Sequence, residues 1–250
     1  VKKTISLSTG VKERKGLWIG LSVTVVALVV IGYLFLRQYA RAGSHFIRLR
    51  QFWADPEKYS EWGLTAGTRC SDAPFLFPTD GFVAFFWGDR YVTGKKHQGV
   101  DIFSPEGPDG IGLTPVVAAY DGYLTRLSGW RSAVIIRIPE DPLQSGRQIW
   151  IYYAHMADAE GNSFIMPEFP PGTQDKFVQA GTLLGYQGNY SADPTNPTGV
   201  HLHFSIVLDD GRGSFKNELD FRNTLDPSPY LGIELNAGRI GNGVATCQAQ

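Results

Sequence analysis

Two patterns of apolar and polar positions divide the chain. Leu17 to Leu36 carries no charged residue, and basic residues flank it on both sides. From Pro74 onward the run is broken into short apolar segments separated by Gly- and Pro-rich turns: Gly81–Phe86, Val100–Phe103, Val116–Ala119, Tyr123–Leu127, Ala133–Ile138, Ile149–Ala154, Leu183–Gly185 and Val200–Leu208. Short alternating segments bounded by turn signals, with no sustained helical period, predict an all-β domain: a compact antiparallel sheet or sandwich. Asp141 to Arg147 reads as a hairpin loop. Ala157 to Lys176 and Gln187 to Gly199 read as two long loops, and loops of that length in a compact domain often serve function. No internal repeat is present.

The apolar stretch Leu17–Leu36 is long enough to cross a bilayer core. Trp18 and Tyr33 sit near its two ends, where interfacial aromatics anchor. A buried core helix fits poorly, because the stretch is apolar all round. A cleaved leader fits less well than an anchor, because the run is long and Arg37 precedes the small-residue site Ala40-Arg41-Ala42. The expectation is a single transmembrane helix over 17–36, after a short basic N-terminal tail, 1–16. The count of basic residues favours a cytoplasmic N-terminus only slightly. A linker, 37–73, follows and is partly helical. Its stretch His45–Leu64 reads equally as an amphipathic segment near a membrane or as a helix packed on the following domain. After 232 a Gly- and Ala-rich tail, 233–250, is expected to be flexible unless Cys247 pins it.

The formal net charge of -1 and the lack of a basic recognition helix exclude a nucleic-acid partner as the expectation. Cys70 and Cys247 lack zinc-knuckle and Cys-x-x-Cys spacing. They read equally as one disulfide or as two thiols, since sequence alone does not supply the Cα separation.

The chemistry lies in the histidines. On a strand over Val200–Leu208, His201 and His203 point to one face, and Leu202 and Phe204 point to the other. Two imidazoles on one face suit a metal centre with an acid–base neighbour. The chain has five histidines. Of the other three, His97 begins His97-Gln98-Gly99-Val100-Asp101 and His155 ends Tyr152-Tyr153-Ala154-His155. His45 has no assigned role. On a fully extended strand His97 and Asp101 would lie about 13 Å apart, so sharing one ion demands a bend, which Gly99 permits. No His-Glu-x-x-His is present, so that class of zinc peptidase is absent.

Taken in order, His97-x-Gly99-x-Asp101, Tyr153-Ala154-His155 and His201-Leu202-His203-Phe204 resemble the motifs of the LytM/lysostaphin-type zinc peptidases, family M23. Phe77-Pro78-Thr79-Asp80-Gly81, Phe86-Trp87-Gly88-Asp89-Arg90, Val116 to Gly122, Ala180 to Gly188 and Asp226-Pro227 with Pro229-Tyr230-Leu231 resemble its flanking segments. The likeness spans about Pro74 to Leu231 and marks 74–232 as the peptidase-like domain. Ser205 departs from the family, which usually carries Glu there. The resemblance implies a duplicated-hybrid-motif-like fold and one zinc ion held by His97, Asp101 and His203. It implies His155 and His201 as the acid–base pair, with their individual roles open. The implied substrate is a peptide bond in bacterial peptidoglycan, which places the domain outside the bacterial cell membrane; the need for a protein activator stays open. Two readings compete. One is a catalytically silent wall-binding or regulatory module of the same fold, which would show missing motif residues. The other is a two-His-one-carboxylate iron site, against which the two additional histidines count.

Overall fold

In the computed structural model the protein is described over residues 10–90 and 94–247, with the backbone alone over 10–22 and 34–42. The chain divides into two compact units at Ser44/His45. In the first, helix α1 (Gly10–Ala54) begins, and its residues 23–33 are exposed and, apart from Thr24, apolar or glycine, with Val23 at 64%, Leu28 at 63% and Tyr33 at 61%. Among the residues whose side chains are described, no helix is long and apolar enough to cross a membrane. The expected span Leu17–Leu36 lies partly outside them, since they cover only 23–33 of it.

The second unit is built on antiparallel strands, as the alternation predicts. They are β1 (Phe82–Phe85), β2 (Val100–Phe103), β3 (Pro115–Val117), β4 (Gly122–Thr125), β5 (Val134–Ile138), β6 (Ile149–Ala154), β7 (Lys176–Val178), β8 (Leu183–Tyr186), β9 (His201–Leu208) and β10 (Thr224–Leu225). Eight form one sheet in the order β1-β2-β9-β6-β5-β4-β7, with β10 continuing alongside β9; β3 and β8 form a second, two-stranded sheet. Every strand expected from the apolar segments is present, shifted by at most two residues at an end. Two are additional. β7 is an edge strand with two exposed residues of three, and β10 has only two residues, so neither carries enough alternation to be read. Short helices α2 (Ser228–Leu231) and α3 (Ala237–Ile240) close the chain.

The pleat separates core from site. Leu202, Phe204 and Ile206 of β9 join Val100 and Ile102 of β2 in the main core, with Ile136 and Ile138 of β5, Ile151 and Tyr153 of β6, Val116 and Leu184. Asp101 pairs with His203 and Phe103 with His201, so all four side chains share the opposite face. A smaller cluster lies on that face: Phe82, Ala84 and Phe103 pack with Leu49 and Phe52 from the end of α1. Residues 45–54 therefore pack on the domain. Their contact positions His45, Leu49 and Phe52 follow the spacing of one helical face.

The segment after Gly232 is pinned through residue 247, and 248–250 lie outside the described residues. Ile233, Leu235, Ala237 and Ala245 belong to the main core. Cys247 is disulfide-bonded to Cys70, with their Cα atoms 5.5 Å apart. The bridge decides between the two readings the cysteines allowed.

Candidate metal centre

His97 precedes β2 and stands at the end of a bend over Gln98 and Gly99. That bend turns its imidazole back over the strand, and Nε2 comes to 3.1 Å from Oδ1 of Asp101, as the shared-ion reading demands. The role of Gly99 is space. A Cβ there would fall on the carbonyl oxygen of Phe204 and lie 2.8 Å from Cβ of Ser205. Absence of a side chain lets the bend press against β9. From β9, His203 places Nδ1 2.9 Å from the same Asp101 oxygen and 3.1 Å from His97 Nε2. His97, Asp101 and His203 each offer one ligand atom, and these lie within 4.8 Å of one another. All three residues are at most 8% exposed.

The far side of each ring is tied. A carbonyl oxygen only accepts, so a ring nitrogen facing one must carry the proton. Nδ1 of His97 donates to the Phe86 carbonyl at 3.2 Å, which turns Nε2 towards Asp101. Nε2 of His203 lies 2.9 Å from Oε1 of Glu218. Such partners fix the ring and its tautomer in metal centres. Two nitrogens and one carboxylate oxygen, buried and backed in this way, are a donor set that suits zinc.

The other two motif histidines lie alongside. His201 donates from Nδ1 to the Gly199 carbonyl at 2.7 Å, and its Nε2 lies 3.6 Å from Asp101 Oδ1. Its ring stacks on Phe103 at 4.8 Å. His155 follows β6 with a left-handed φ of 69°, a region where His is more tolerated than most residues. It donates from Nδ1 to the Tyr190 carbonyl at 2.6 Å. The His155 and His201 rings are 4.5 Å apart. In both, the nitrogen left as acceptor is therefore Nε2. Tyr190 belongs to the long loop 187–199, which supplies backbone rather than a side chain to the site.

Burial is the largest single influence on His155, His201, Asp101 and His203. It lowers His155 to about 3, helped by His201 and His203 and opposed by Tyr190 and Asp101. It likewise lowers His201, against the pull of Asp101. Burial opposes ionisation of Asp101, but the neighbouring histidines outweigh it and hold the carboxyl well below its ordinary value. For His203 burial again opposes the charge, but hydrogen bonds to Asp101 and Glu218, and their charges, raise it to about 10. A metal ion taking Nδ1 of His203 must displace that proton, as ligand binding by imidazole generally requires.

The structure thus brings together all five residues singled out by motif. Sequence reading missed Glu218, which lies 13 residues beyond Ser205 in a polar loop and carries no spacing signal. His45, left without a role, is buried at 3% exposure, with Nδ1 3.7 Å from Asp89 Oδ2. Asp89 belongs to the turn whose backbone meets His97, since the His97 amide donates to the Asp89 carbonyl at 2.7 Å.

No family model and no curated protein matches the chain. Among solved structures it is similar to a lytM protein of Ruminococcus gnavus ATCC 29149, provisionally named a glycyl-glycine endopeptidase. The identity is 29%, the match covers 54% of this chain and 45% of that one, and the TM-score is 0.36. The chain therefore spans less than half the length of that relative. It is also similar to a mutant of the catalytic domain of the prophage-encoded M23 protein EnpA from Enterococcus faecalis, at 20% identity over 61% of this chain and 94% of that one, TM-score 0.33. A third likeness is to a protein of Pseudomonas aeruginosa provisionally named peptidase M23, at 18% identity over 75% and 62%, TM-score 0.35.

Proposed function

We propose that the protein is a zinc-dependent endopeptidase of the M23 type, hydrolysing peptide bonds in the stems or cross-links of bacterial peptidoglycan. The observation that carries this reading is the converged site: one carboxylate oxygen and two imidazole nitrogens at mutual distances of 2.9 to 3.1 Å, with two further histidines beside them. His97 Nε2, Asp101 Oδ1 and His203 Nδ1 would hold the ion. Zinc bound there supplies a Lewis acid that polarises the peptide carbonyl and makes water acidic enough to react near neutral pH.

The chain's own residues do the rest. Nε2 of His155 and Nε2 of His201 are the acceptor nitrogens, because each Nδ1 proton is committed to a backbone carbonyl. One takes the proton of the attacking water, and the other, once protonated, serves the leaving amine or the tetrahedral oxygen. Phe103 holds the His201 ring by stacking. The set is complete, which favours an enzyme over a silent module of the same fold.

For placement in the cell we propose a single-pass anchor over Leu17–Leu36 with the peptidase domain outside the bacterial cytoplasm. Two features support it: the uncharged apolar stretch, and a disulfide, Cys70–Cys247, of the kind that persists in oxidising compartments.

The function is tested on purified peptidoglycan. The protein is incubated with and without a chelator, then with zinc added back, and the released fragments are read by mass spectrometry beside His203→Ala. Chelator-sensitive release of peptide-cleaved fragments, absent in the variant, is the expected result. No cleavage by a folded, zinc-loaded protein would overturn the enzymatic reading in favour of the regulatory module.

A further inference from the structure

Behind His203 stands a residue that the motifs do not contain. Glu218 Oε1 lies 2.9 Å from His203 Nε2, and Ser205 Oγ donates to the same oxygen at 3.1 Å. His203 and Ser205 are two apart on β9 and face the same way, so one carboxylate reaches both. Its side chain is 12% exposed, and a carboxylate buried to that degree needs such donors.

Glu218 belongs to no strand. It is carried by the arm 209–223, which leaves β9 and returns as β10, and the arm is held at several points. Asp209 Oδ2 accepts from Gln148 Nε2 at 2.6 Å and Trp150 Nε1 at 2.9 Å. Phe215 packs on the rings of Trp130 and Trp150. The residues on either side of Glu218 are tied as well. Asn217 Oδ1 accepts from the Leu219 amide at 3.1 Å, and the Leu219 carbonyl accepts from Gln98 Nε2 at 2.9 Å. Gln98 is the residue next to His97, so the arm is fastened to both sides of the metal centre.

We propose that Glu218, held by Ser205 and by the arm 209–223, is the positioning residue of the metal centre: it makes Nε2 of His203 the donor and so presents Nδ1 as the ligand. This rests on the zinc reading above. The reason is elementary. An imidazole has two nitrogens, and only the one without a proton binds a metal. A carboxylate at Nε2 selects the tautomer, fixes the ring and raises its basicity. Among the described residues, Glu218 is the group that hydrogen-bonds Nε2 of His203.

The test uses the full chain, stripped of metal and titrated with Zn2+ against a chromophoric chelator. Glu218→Ala is expected to bind zinc about 10- to 100-fold more weakly than the unaltered protein, with its far-ultraviolet circular dichroism unchanged. Glu218→Gln keeps an acceptor oxygen without the charge and is expected to lose roughly fivefold. Loading with Co2+ gives a spectroscopic signature, and its visible bands are expected to change in both variants. Ser205→Glu added to Glu218→Ala returns a carboxylate to the same face and is expected to recover affinity. Zinc affinity of Glu218→Ala equal to that of the unaltered protein would overturn the proposal while leaving the zinc reading intact. Should Glu218→Ala fail to fold, Glu218→Gln decides, and affinity within about twofold of the unaltered protein would overturn it. An unaltered protein that binds no zinc would overturn both.

Discussion

Replacing Gly99 by Ala places one methyl group between the bend that carries His97 and the strand that carries His203. The new Cβ would overlap the Phe204 carbonyl and stand 2.8 Å from Ser205 Cβ. Neither neighbour is the end of a flexible side chain. Both belong to the body of β9, which pairs here in the register Val100 with Phe204. Reaching even the tight edge of ordinary contact, about 3.4 Å, requires the Ser205 contact alone to open by about 0.6 Å. Forcing a methyl into packed backbone costs about 1 to 3 kcal/mol, which for a domain of this size lowers the melting temperature by about 2 to 12 °C. The consequence for the site follows from where the opening occurs. It separates His97 from His203 and moves Ser205, the donor to Glu218. A site of this kind tolerates about 0.5 Å of displacement, so zinc affinity is expected to fall at least about tenfold. Thermal unfolding of the metal-free protein measures the first effect and a zinc titration measures the second. A variant that melts within 1 °C of the original and binds zinc equally well would refute the reasoning that close approach of β2 and β9 builds the site.

Other consequences are checked in the same way. Reducing the Cys70–Cys247 bridge frees a loop with a sequence separation of 177; chain entropy alone sets the loss at about 5 kcal/mol. Urea unfolding with and without reductant reads it, and a loss under about 1 kcal/mol would show that the bridge does little to the unfolded chain. Phe52 stacks on Phe82 at 5.5 Å and is 3% exposed, so Phe52→Ala is expected to cost about 3 kcal/mol. Consistent with that, a chain beginning at His45 should melt above one beginning at Ala66. Equal melting would mean that residues 45–54 add no stability to the domain.

Much of the sheet was legible because its physics is local. Alternation in Val200–Leu208 and the short apolar runs report the pleat directly, and three motifs carried the five site histidine and aspartate positions. What escaped depends on contacts between distant parts of the chain. Glu218 reaches His203 only after the chain has looped out past Asp209 and back, and no spacing rule connects them. The sole hint was negative, a serine at 205. The packing of residues 45–54 did leave a signal, the spacing of His45, Leu49 and Phe52. It competed with a membrane-surface reading that places apolar residues on the same kind of face. Gly99 illustrates a third case. The need for glycine was legible, but the sequence pointed to backbone freedom, whereas the fold demands room for β9.

The most direct test of the central claim is metal stoichiometry across the five motif residues. The full chain and the variants His97→Ala, Asp101→Ala, His203→Ala, His155→Ala and His201→Ala would each be loaded with zinc, desalted and analysed for metal, with folding checked by circular dichroism. The account predicts about one ion per chain in the original and in the His155 and His201 variants, the latter two inactive on peptidoglycan. It predicts loss of the ion in the His97, Asp101 and His203 variants. Zinc retained at full stoichiometry in a folded His203→Ala protein, or lost from His155→Ala, would contradict the assignment of ligands and acid–base pair on which the proposed function stands.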